Sequence, residues 1–314
     1  MENLITGKAN LEIFAETLTR LLENNPNILA ATSDSRGSGK LVAFGEKFPE
    51  QIVEVGIAEQ NLVGVSAGLA SAGKKVFAVS PACFLTARSL EQIKNDVAYS
   101  DMPVVLVGIS AGVSYGALGS THHSTHDVAV LRAIPNIDIV VPADNFEAEQ
   151  AVIAASKSEK PVFLKFGKKA MPQLPGINEF EIGKARTICE GTDVAFIACG
   201  ETVAPAFEAA KLLGEKGLSA EVLSMHSIKP LDEEALIKAS KKCKAVITVE
   251  EHSIHGGLGE ACAAVLMQQN ISVPFKIVGI PDEVTYSGSQ VEIFDHYGIS
   301  GQELFKTAKN LLKS

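Results

Sequence analysis

Short runs of β-branched and other apolar residues alternate with amphipathic stretches along most of the chain. This alternation is typical of parallel sheets whose two faces are covered by helices. The sequence predicts strands at residues 28–32, 52–55, 76–80, 104–109, 137–141, 162–166, 194–198, 220–224, 245–249 and 275–278. It predicts helices between most of them, among them residues 11–23, 202–216, 232–241 and 257–268. We therefore expect an α/β fold with doubly wound sheets.

The alternation lapses once, between residues 168 and 180. Pro172, Pro175 and Gly176 interrupt any regular element there, so this segment is the best candidate for a linker. With 314 residues, 46% of them hydrophobic, the chain is long enough for two α/β domains that each bury a core. We expect a larger domain at residues 1–170, a linker at 171–182 and a smaller domain at 183–314.

Net charge and cysteine content exclude several classes of protein. The 28 Lys and Arg residues are outnumbered by 37 Asp and Glu residues, and a net charge of −9 argues against general binding of nucleic acid. The five cysteines are scattered and form no CxxC pair, which is typical of free thiols in a reducing compartment. The N-terminus has no signal-peptide pattern, and no run approaches the roughly 20 apolar residues that span a membrane. We predict a cytoplasmic protein.

Glu59 is the first candidate for chemistry. In VEVGIAEQN a predicted strand ends, Gly56 turns the chain, and the carboxylate falls in the first turn of a helix. An acidic residue in that position also complements the helix dipole, which requires no further function. The neighbouring residues Ile57, Ala58 and Leu62 are apolar, however, so we expect the carboxylate to lie in a site of low dielectric. A carboxylate there costs free energy unless it has a partner with which to share a proton.

A second candidate is the glycine-rich segment at residues 108–119, together with the histidines that follow it. The segment lacks the GxxxxGK[ST] order of a phosphate-binding loop, so we interpret it as an active-site loop in which backbone approaches a substrate. His122, His123 and His126 allow a zinc site, but adjacent histidines usually point apart and no carboxylate or cysteine completes a ligand set. A glycine run at residues 256–259 lacks the GxGxxG pattern, and we predict a structural turn into a helix.

Four ordered motifs resemble the transketolase family: VGIAEQN, then SPACFLTARSLEQIKNDVAYSDMPV, then GALGSTHHSTHDVAVLRAIPNIDIVVPAD, and finally EEHSIHGGLGEA. The similarity covers nearly the whole chain, and four motifs at the family's spacing are far more specific than any one of them. It implies that the first domain binds the pyrimidine of thiamine diphosphate and that the second is the transketolase C-terminal domain. The activity that it implies is reversible transfer of a two-carbon ketol unit from a ketose donor to an aldose phosphate acceptor.

The resemblance also implies roles for five residues. Glu59 matches the glutamate that hydrogen-bonds the aminopyrimidine ring nitrogen of thiamine diphosphate and so activates the cofactor. Phe84 matches the aromatic residue that stacks on the pyrimidine. His122 matches the histidine that contacts the hydroxyl and carbonyl end of the substrate and assists proton transfer. Asp34 resembles an aspartate near the amino group of the cofactor, and Ser38 resembles a serine that contacts the acceptor phosphate, although both residue types are common turn formers.

One motif of the family does not occur in the sequence. The family holds the metal and the diphosphate with a Gly-Asp-Gly motif and a distant asparagine, and this chain has no Gly-Asp-Gly. We therefore expect a separate N-terminal transketolase subunit to supply the diphosphate-binding domain and the Mg²⁺ ligands, and we expect no metal site on this chain. The expected assembly is a heterotetramer of two copies of each subunit, with the cofactor at their junction.

Substrate contacts also depart from the family. Leu118 stands where typical transketolases have an aspartate that reads the ketose hydroxyl next to the scissile bond. The family's basic contacts to sugar phosphate are replaced by Gly7, Ser110 and Phe166. Candidate substitutes for those contacts are Arg36, Arg88 and Lys165. Because a buried polar contact is either made or left unpaired, its loss changes discrimination by kilocalories, and we predict a ketose donor other than plain xylulose 5-phosphate, such as a branched or sulfonated sugar.

Two other interpretations fit the same motifs. One is a component similar to deoxyxylulose phosphate synthase, which normally carries both halves on one chain, or to the beta subunit of a 2-oxo acid dehydrogenase, which needs a lipoyl-bearing partner. The other is a non-catalytic regulatory or scaffold subunit. Bound thiamine diphosphate that is lost on Glu59→Ala would exclude this last interpretation.

Overall fold

The computed structural model describes residues 4–313 as an α/β protein with two main sheets. The strands of the first half are β1 (Thr6–Ala9), β2 (Ile28–Thr32), β3 (Ile52–Glu54), β4 (Lys75–Pro81), β5 (Val105–Ile109), β6 (Asp138–Val140), β7 (Val162–Phe166) and β8 (Ala170–Pro172). Its helices are α1 (Asn10–Asn24), α2 (Val42–Lys47), α3 (Glu59–Ser71), α4 (Ala82–Arg88), α5 (Leu90–Gln92), α6 (Asp127–Arg132) and α7 (Asn145–Lys157). A π-helical segment, Ile93–Tyr99, continues α5.

The second half repeats the alternation on a smaller scale. Its strands are β9 (Arg186–Cys189), β10 (Val194–Ala198), β11 (Ala220–Ser224), β12 (Ser227–Lys229), β13 (Ala245–Ser253) and β14 (Phe275–Ile280). Its helices are α8 (Val203–Gly214), α9 (Glu233–Lys242), α10 (Leu258–Gln268), α11 (Gln290–His296) and α12 (Gly301–Leu311). Over residues 4–313, no helix is both long and apolar enough to cross a membrane.

The first sheet has seven strands in the order β12-β6-β7-β5-β4-β2-β3. Its neighbours run parallel, except that β12 pairs antiparallel with β6. Successive side chains of a strand point to opposite faces. In β4, Phe77 and Val79 accordingly join the core formed with α1 and α7, whereas Val76 and Ala78 join the core formed with α3. Helices therefore cover both faces, as the sequence pattern predicts.

The carboxyl ends of β5, β4, β2 and β3 meet at one edge of this sheet, because these four strands are parallel neighbours. Ligand sites of open α/β sheets lie outside the carboxyl ends of the strands. Four segments leave the sheet there: residues 33–41 after β2, residues 55–58 after β3, helix α4 after β4, and residues 110–126 after β5.

The second sheet has five strands in the order β14-β13-β10-β11-β9. Only its edge strand β9 is antiparallel to its neighbour within the described residues. A separate two-stranded ribbon joins β1 to β8 in antiparallel pairing. Asp232 caps α9 by accepting a hydrogen bond from the Ala235 backbone N–H at 3.0 Å.

One of the hydrophobic clusters among the described residues runs through both halves, beside one whose buried residues all lie in the first half and one that lies mainly in the second. It includes Leu62 and Ala78 of the first half together with Ile197 and Cys262 of the second. Strand β12 strengthens this connection, because it belongs to the second half of the sequence and pairs with β6 of the first sheet. The two halves are therefore joined by backbone hydrogen bonds as well as by apolar packing.

All ten predicted strands are present, with ends that differ by at most a few residues. The short strands β1, β8, β9 and β12 were not predicted. Strand β8 corrects the linker prediction, because Ala170–Pro172 lies inside the segment that we expected to be irregular. Its pairing with β1 explains the difference: Pro172 sits at the end of a two-stranded ribbon, where a missing N–H is tolerated.

Candidate active site

Glu59 begins helix α3 at the carboxyl edge of the first sheet. Strand β3 ends at Glu54, Gly56 adopts a positive φ of 73°, and the helix starts three residues later. The reversal needs glycine at position 56, since a left-handed backbone disfavours other residues. Glu59 is only 4% exposed, while its neighbours Leu62 and Val63 are fully buried. The sequence-based expectation of a carboxylate in a low-dielectric site thus agrees with its placement.

The partner of this carboxylate is Arg88, at the end of α4. Its Nη1 atom lies 3.0 Å from Oε1 and 2.9 Å from Oε2 of Glu59. The Arg88 side chain is 47% exposed, so the ion pair reaches from a buried acid to a solvent-facing base. Both residues line an open cleft with Ile57, Gln60 and Asn61. From the sequence, Arg88 was only a candidate phosphate contact, and this pair was not predicted.

Phe84 lies one helical turn before Arg88, in the first turn of α4. Strand β4 ends at Pro81, and the helix begins at the next residue. The guanidinium carbon of Arg88 is 4.3 Å from the centroid of the Phe84 ring. Glu59, Arg88 and Phe84 therefore form one contiguous group. A buried carboxylate beside a flat aromatic face suits an aminopyrimidine, which has a hydrogen-bonding ring nitrogen and a flat ring.

His122 extends this group from the loop that follows β5. Its ring meets Phe84 edge to face, with centroids 5.3 Å apart and planes at 71°. Tyr115 contacts the His122 ring in the same manner, at 5.3 Å and 75°. The Thr121 hydroxyl is 2.9 Å from His122 Nδ1. Tyr115 was not predicted, although an aromatic residue within a glycine-rich loop is a signal that could have indicated it.

His123 anchors the loop to the second half of the chain. Its Nε2 atom donates to the Gly116 carbonyl at 2.9 Å, so Nδ1 accepts from the Thr285 hydroxyl at 2.7 Å. Burial lowers the pKa of His123, which favours the neutral ring that this pattern requires. In the described part of the chain, no three His, Cys, Asp or Glu residues are arranged to hold a metal ion.

Asp34 and Ser38 lie at the same edge of the sheet, in the loop after β2, and both are exposed. Among residues 4–313, no hydrogen bond or ion pair joins either side chain to Glu59, Phe84 or His122. The order of the strands places these two residues at the same edge as the group. Asp34 has a left-handed backbone, with φ of 54°, as a turn former would.

Glu54, which was not predicted from the sequence, holds the two loops that contain Asp34 and Gly56 by hydrogen bonds. Its carboxylate accepts hydrogen bonds from the Thr32 hydroxyl at 2.7 Å and from the backbone N–H groups of Asp34 and Gly56 at 2.7 and 3.1 Å. Partial burial raises the pKa of Glu54, but these hydrogen bonds outweigh it and leave the pKa below its ordinary value. Arg36 lies 3.4 Å away and adds a weaker ion pair.

Comparison with protein families identifies both halves of the chain. Residues 7–173 match the family described as transketolase, pyrimidine binding domain, and residues 183–304 match the one described as transketolase, C-terminal domain. The chain belongs to the transketolase family. The pyrimidine-binding domain implies thiamine diphosphate as the cofactor.

Individual relatives of this transketolase chain span nearly all of its length. A subunit of apulose-4-phosphate transketolase from Phocaeicola vulgatus is 48% identical over 302 residues, which are 96% of this chain and 96% of that protein. A subunit of 6-deoxy-6-sulfo-D-fructose transketolase from a Clostridium species is 33% identical over 298 residues, 95% of this chain and 92% of that protein. A solved structure described as a split gene transketolase, inactive beta4 tetramer, has a TM-score of 0.87 and 35% identity, and the match covers 98% of this chain and 99% of that one.

These comparisons confirm the predicted α/β fold, the predicted family and the prediction of a transketolase subunit that needs a partner chain. The roles that the resemblance implies for individual residues stay predictions.

Several expected substrate positions of the transketolase chain are buried. Lys165 is 4% exposed and donates to Asp127 at 2.8 Å and to the Ser124 carbonyl at 3.2 Å, which contradicts its use as a phosphate contact. Ser110 and Phe166 are also buried, at 0% and 1% exposure. The local apolar pattern of β7 indicates burial on both faces, but it does not reveal which carboxylate pairs with the buried lysine.

The other positions considered for substrate contacts are not all buried as Lys165, Ser110 and Phe166 are. Leu118 ends a short 3₁₀ turn, Gly116–Leu118, and is 55% exposed within the loop after β5 that also carries His122. Gly7 lies in β1, where an added Cβ would come within 2.2 Å of Asn145 Oδ1, so close packing accounts for glycine there. Arg36 is bound to Glu54, whereas Ser38 is exposed.

A buried polar cluster holds the loop at residues 110–126, which carries His122, against strand β13 of the transketolase C-terminal half. Glu251 accepts from the Val113 backbone N–H at 2.9 Å and from Gln290 Nε2 at 2.8 Å. Burial and the nearby Glu201 carboxylate raise the pKa of Glu251. Burial also raises the pKa of Glu250 to about 7, although it accepts from two backbone N–H groups at the start of α10. The sequence did not predict this cluster, because the bond from Val113 to Glu251 joins residues 138 positions apart.

Proposed function

We propose that this chain, together with a partner subunit, transfers a two-carbon ketol unit from a ketose donor to an aldose phosphate acceptor. The observation that carries the proposal is the group of Glu59, Phe84 and His122, in which a buried carboxylate, a flat ring and an imidazole lie side by side at the carboxyl edge of the sheet. When bound, thiamine diphosphate supplies the nucleophilic carbon that takes up and releases the two-carbon unit.

Each residue of the group has a separate task in this proposal. Glu59 shares a proton with the aminopyrimidine ring nitrogen, and its burial strengthens that hydrogen bond because the surroundings are of low dielectric. Phe84 stacks on the pyrimidine and excludes water from it. His122 faces the substrate and moves a proton at its hydroxyl and carbonyl end. Asp34 lies near the amino group of the cofactor, and Ser38 contacts the acceptor phosphate.

The partner in this proposal is an N-terminal transketolase subunit that holds Mg²⁺ and the diphosphate. The proposed assembly is a heterotetramer of two copies of each subunit in the cytoplasm. Within this chain we propose a pyrimidine-binding domain at residues 1–170, a connection at 171–182 and a C-terminal domain at 183–314. The families that match residues 7–173 and 183–304 support this division.

We further propose a donor other than plain xylulose 5-phosphate. Leu118 is exposed in the same loop as His122 and offers no carboxylate to a donor hydroxyl. Relatives named for apulose 4-phosphate and for 6-deoxy-6-sulfo-D-fructose support a branched or sulfonated donor. Since a site built without a hydroxyl-reading group discriminates poorly for that hydroxyl, such donors fit this surface.

The test is a comparison of donors by the reconstituted enzyme. This chain and its partner are combined with thiamine diphosphate and Mg²⁺, and kcat/KM is measured for apulose 4-phosphate, 6-deoxy-6-sulfo-D-fructose and xylulose 5-phosphate with one aldose phosphate acceptor. A higher kcat/KM for one of the first two supports the proposal. A clear preference for xylulose 5-phosphate contradicts the proposed donor, and an absence of turnover with every ketose contradicts the proposed reaction.

A further inference from the structure

One guanidinium contacts both of the groups that the proposed function gives to the cofactor pyrimidine. Arg88 Nη1 lies 3.0 and 2.9 Å from the two oxygens of Glu59, and Arg88 Cζ lies 4.3 Å from the Phe84 ring centroid. Phe84 and Arg88 are four residues apart on α4 and thus share a helical face. The contact to the carboxylate and the contact to the ring are therefore made at the same time by the same side chain.

A guanidinium and an aminopyrimidine can each stack on an aromatic ring and donate a hydrogen bond to a carboxylate. The guanidinium is planar, stacks on aromatic faces and donates N–H groups to carboxylates. A pyrimidine that shares a proton with Glu59 also presents a flat face and an N–H to the same oxygens. Two flat groups cannot occupy the same ring face and the same carboxylate together. A pyrimidine in the proposed position therefore competes with Arg88 for the oxygens of Glu59.

The buried carboxylate of Glu59 needs a hydrogen-bonding partner in the cofactor-free subunit. It is 4% exposed, and Arg88 is the sole hydrogen-bond donor to its carboxylate among residues 4–313. A buried carboxylate without a partner is strongly unfavourable. Glu54 offers a contrast, because it has three other hydrogen-bond donors besides its contact with Arg36. Arg88 therefore performs for Glu59 what three neutral donors perform for Glu54.

We propose that Arg88 is a positioning residue that occupies the pyrimidine site of the cofactor-free subunit. It holds Glu59 and Phe84 in place and swings into solvent when the pyrimidine of thiamine diphosphate binds. Its 47% exposure leaves a path out of the site. This inference rests on the proposed function. Because a site that is blocked for part of the time binds its ligand more weakly in proportion, Arg88 lowers the apparent affinity for the cofactor.

The first test measures cofactor binding by the complete complex. Thiamine diphosphate is titrated with saturating Mg²⁺ into complexes that contain wild-type chain, Arg88→Ala, Arg88→Lys or, as a control, Arg20→Ala, whose arginine pairs with Glu149 on the surface. We expect Arg88→Ala to lower Kd by about fivefold or more. Arg88→Lys should have a smaller effect, because lysine keeps the charge but lacks the planar guanidinium. Arg20→Ala should have no effect. An unchanged or raised Kd in Arg88→Ala overturns the inference.

The second test uses the chain alone, without cofactor. Arg88→Ala should lower Tm, because Glu59 stays buried without its partner, whereas Glu59→Gln in the same chain should restore most of the loss. Additive effects of the two changes on Tm would contradict the pairing role of Arg88. A wild-type complex that binds no thiamine diphosphate overturns the proposed function and this inference together. A wild-type complex that binds it as tightly as Arg88→Ala does overturns this inference alone.

Discussion

The rings of Phe84 and His122 meet edge to face, with centroids 5.3 Å apart. Phe84 belongs to helix α4, which follows β4, whereas His122 lies in the loop that follows β5. Their contact joins the residue proposed for the cofactor to the residue proposed for the substrate. The parallel pairing of β4 with β5 brings the two together, since both strands end at the same edge of the sheet.

Replacing His122 should impair the reaction without weakening the binding of the cofactor. We expect His122→Asn to lower kcat/KM for the ketose donor by roughly a hundredfold, because a positioned general acid or base contributes at least that much. The Kd of the complex for thiamine diphosphate should not change. Steady-state kinetics and a cofactor titration check both statements, with His255→Asn as the control, since His255 is exposed in the second half. Equal loss of activity in both variants would remove His122 from the proposed site.

Replacing Glu59 by its amide should lower kcat with little change in the fold. Glu59→Gln keeps the size of the side chain and removes proton sharing, so we expect kcat to fall by roughly a hundredfold or more. The reconstituted complex provides the measurement, and circular dichroism of the variant checks its folding. Glu149→Gln, which alters an exposed carboxylate, is the matched control. Full activity of Glu59→Gln would refute the role of this carboxylate.

Introducing an acid at position 118 should change the preferred donor. We expect Leu118→Asp to raise the ratio of kcat/KM for xylulose 5-phosphate over that for a branched or sulfonated donor by about tenfold, because the new carboxylate can accept from the donor hydroxyl. Ala117→Asp places the same charge one residue away, on an exposed neighbour, and should leave the ratio unaltered. If both variants shift the ratio equally, net charge rather than position 118 sets the preference.

The contribution of Glu250 to the stability of the chain should fall as the pH rises towards neutrality and through it. Burial raises the pKa of Glu250 to about 7 in the folded protein. Since this pKa is raised above its unfolded value, the stabilising contribution of the protonated Glu250 is complete below that lower value and is lost as the pH rises through about 7. Burial raises the pKa values of Glu201 and Glu251 as well, so their contributions have the same sign.

Glu250→Gln isolates this effect. We expect the variant to reduce the loss of unfolding free energy between pH 5.5 and pH 8.5 by about 2 kcal/mol, measured by urea denaturation. Glu260→Gln is the control, because Glu260 is exposed on α10 and its pKa is lowered by the Gly256 backbone N–H. The explanation fails if wild type and Glu250→Gln lose the same free energy over this range.

Local patterns in the sequence predicted most of the fold and the position of Glu59. Each main strand is a short apolar run, and the turn through Gly56 into α3 depends on neighbouring residues. The short strands β8 and β12 escaped prediction because each has three residues and depends on a partner far away in the sequence. Periodicity carries no information about such pairing.

The same limit explains what was missed around the site. Phe84 and His122 follow from motifs, but the pairing of Arg88 with Glu59 joins residues 29 positions apart. In the sequence, Lys165 stands within an apolar run with no evident ion-pair partner. Only the folded chain shows Asp127 beside it. Interactions between charged side chains on different elements depend on packing, which a single sequence does not reveal.

Strand β12 restricts how this chain can be recombined with its relatives. Because Ser227–Lys229 supplies the outermost strand of the first sheet, a chimera that exchanges everything after the 171–182 connection imports a foreign edge against Asp138–Val140. A truncated first half would leave that edge bare, and bare edges invite pairing between molecules. Grafts between subunits of different donor preference should therefore move loops at the carboxyl edge and keep the two halves from one parent.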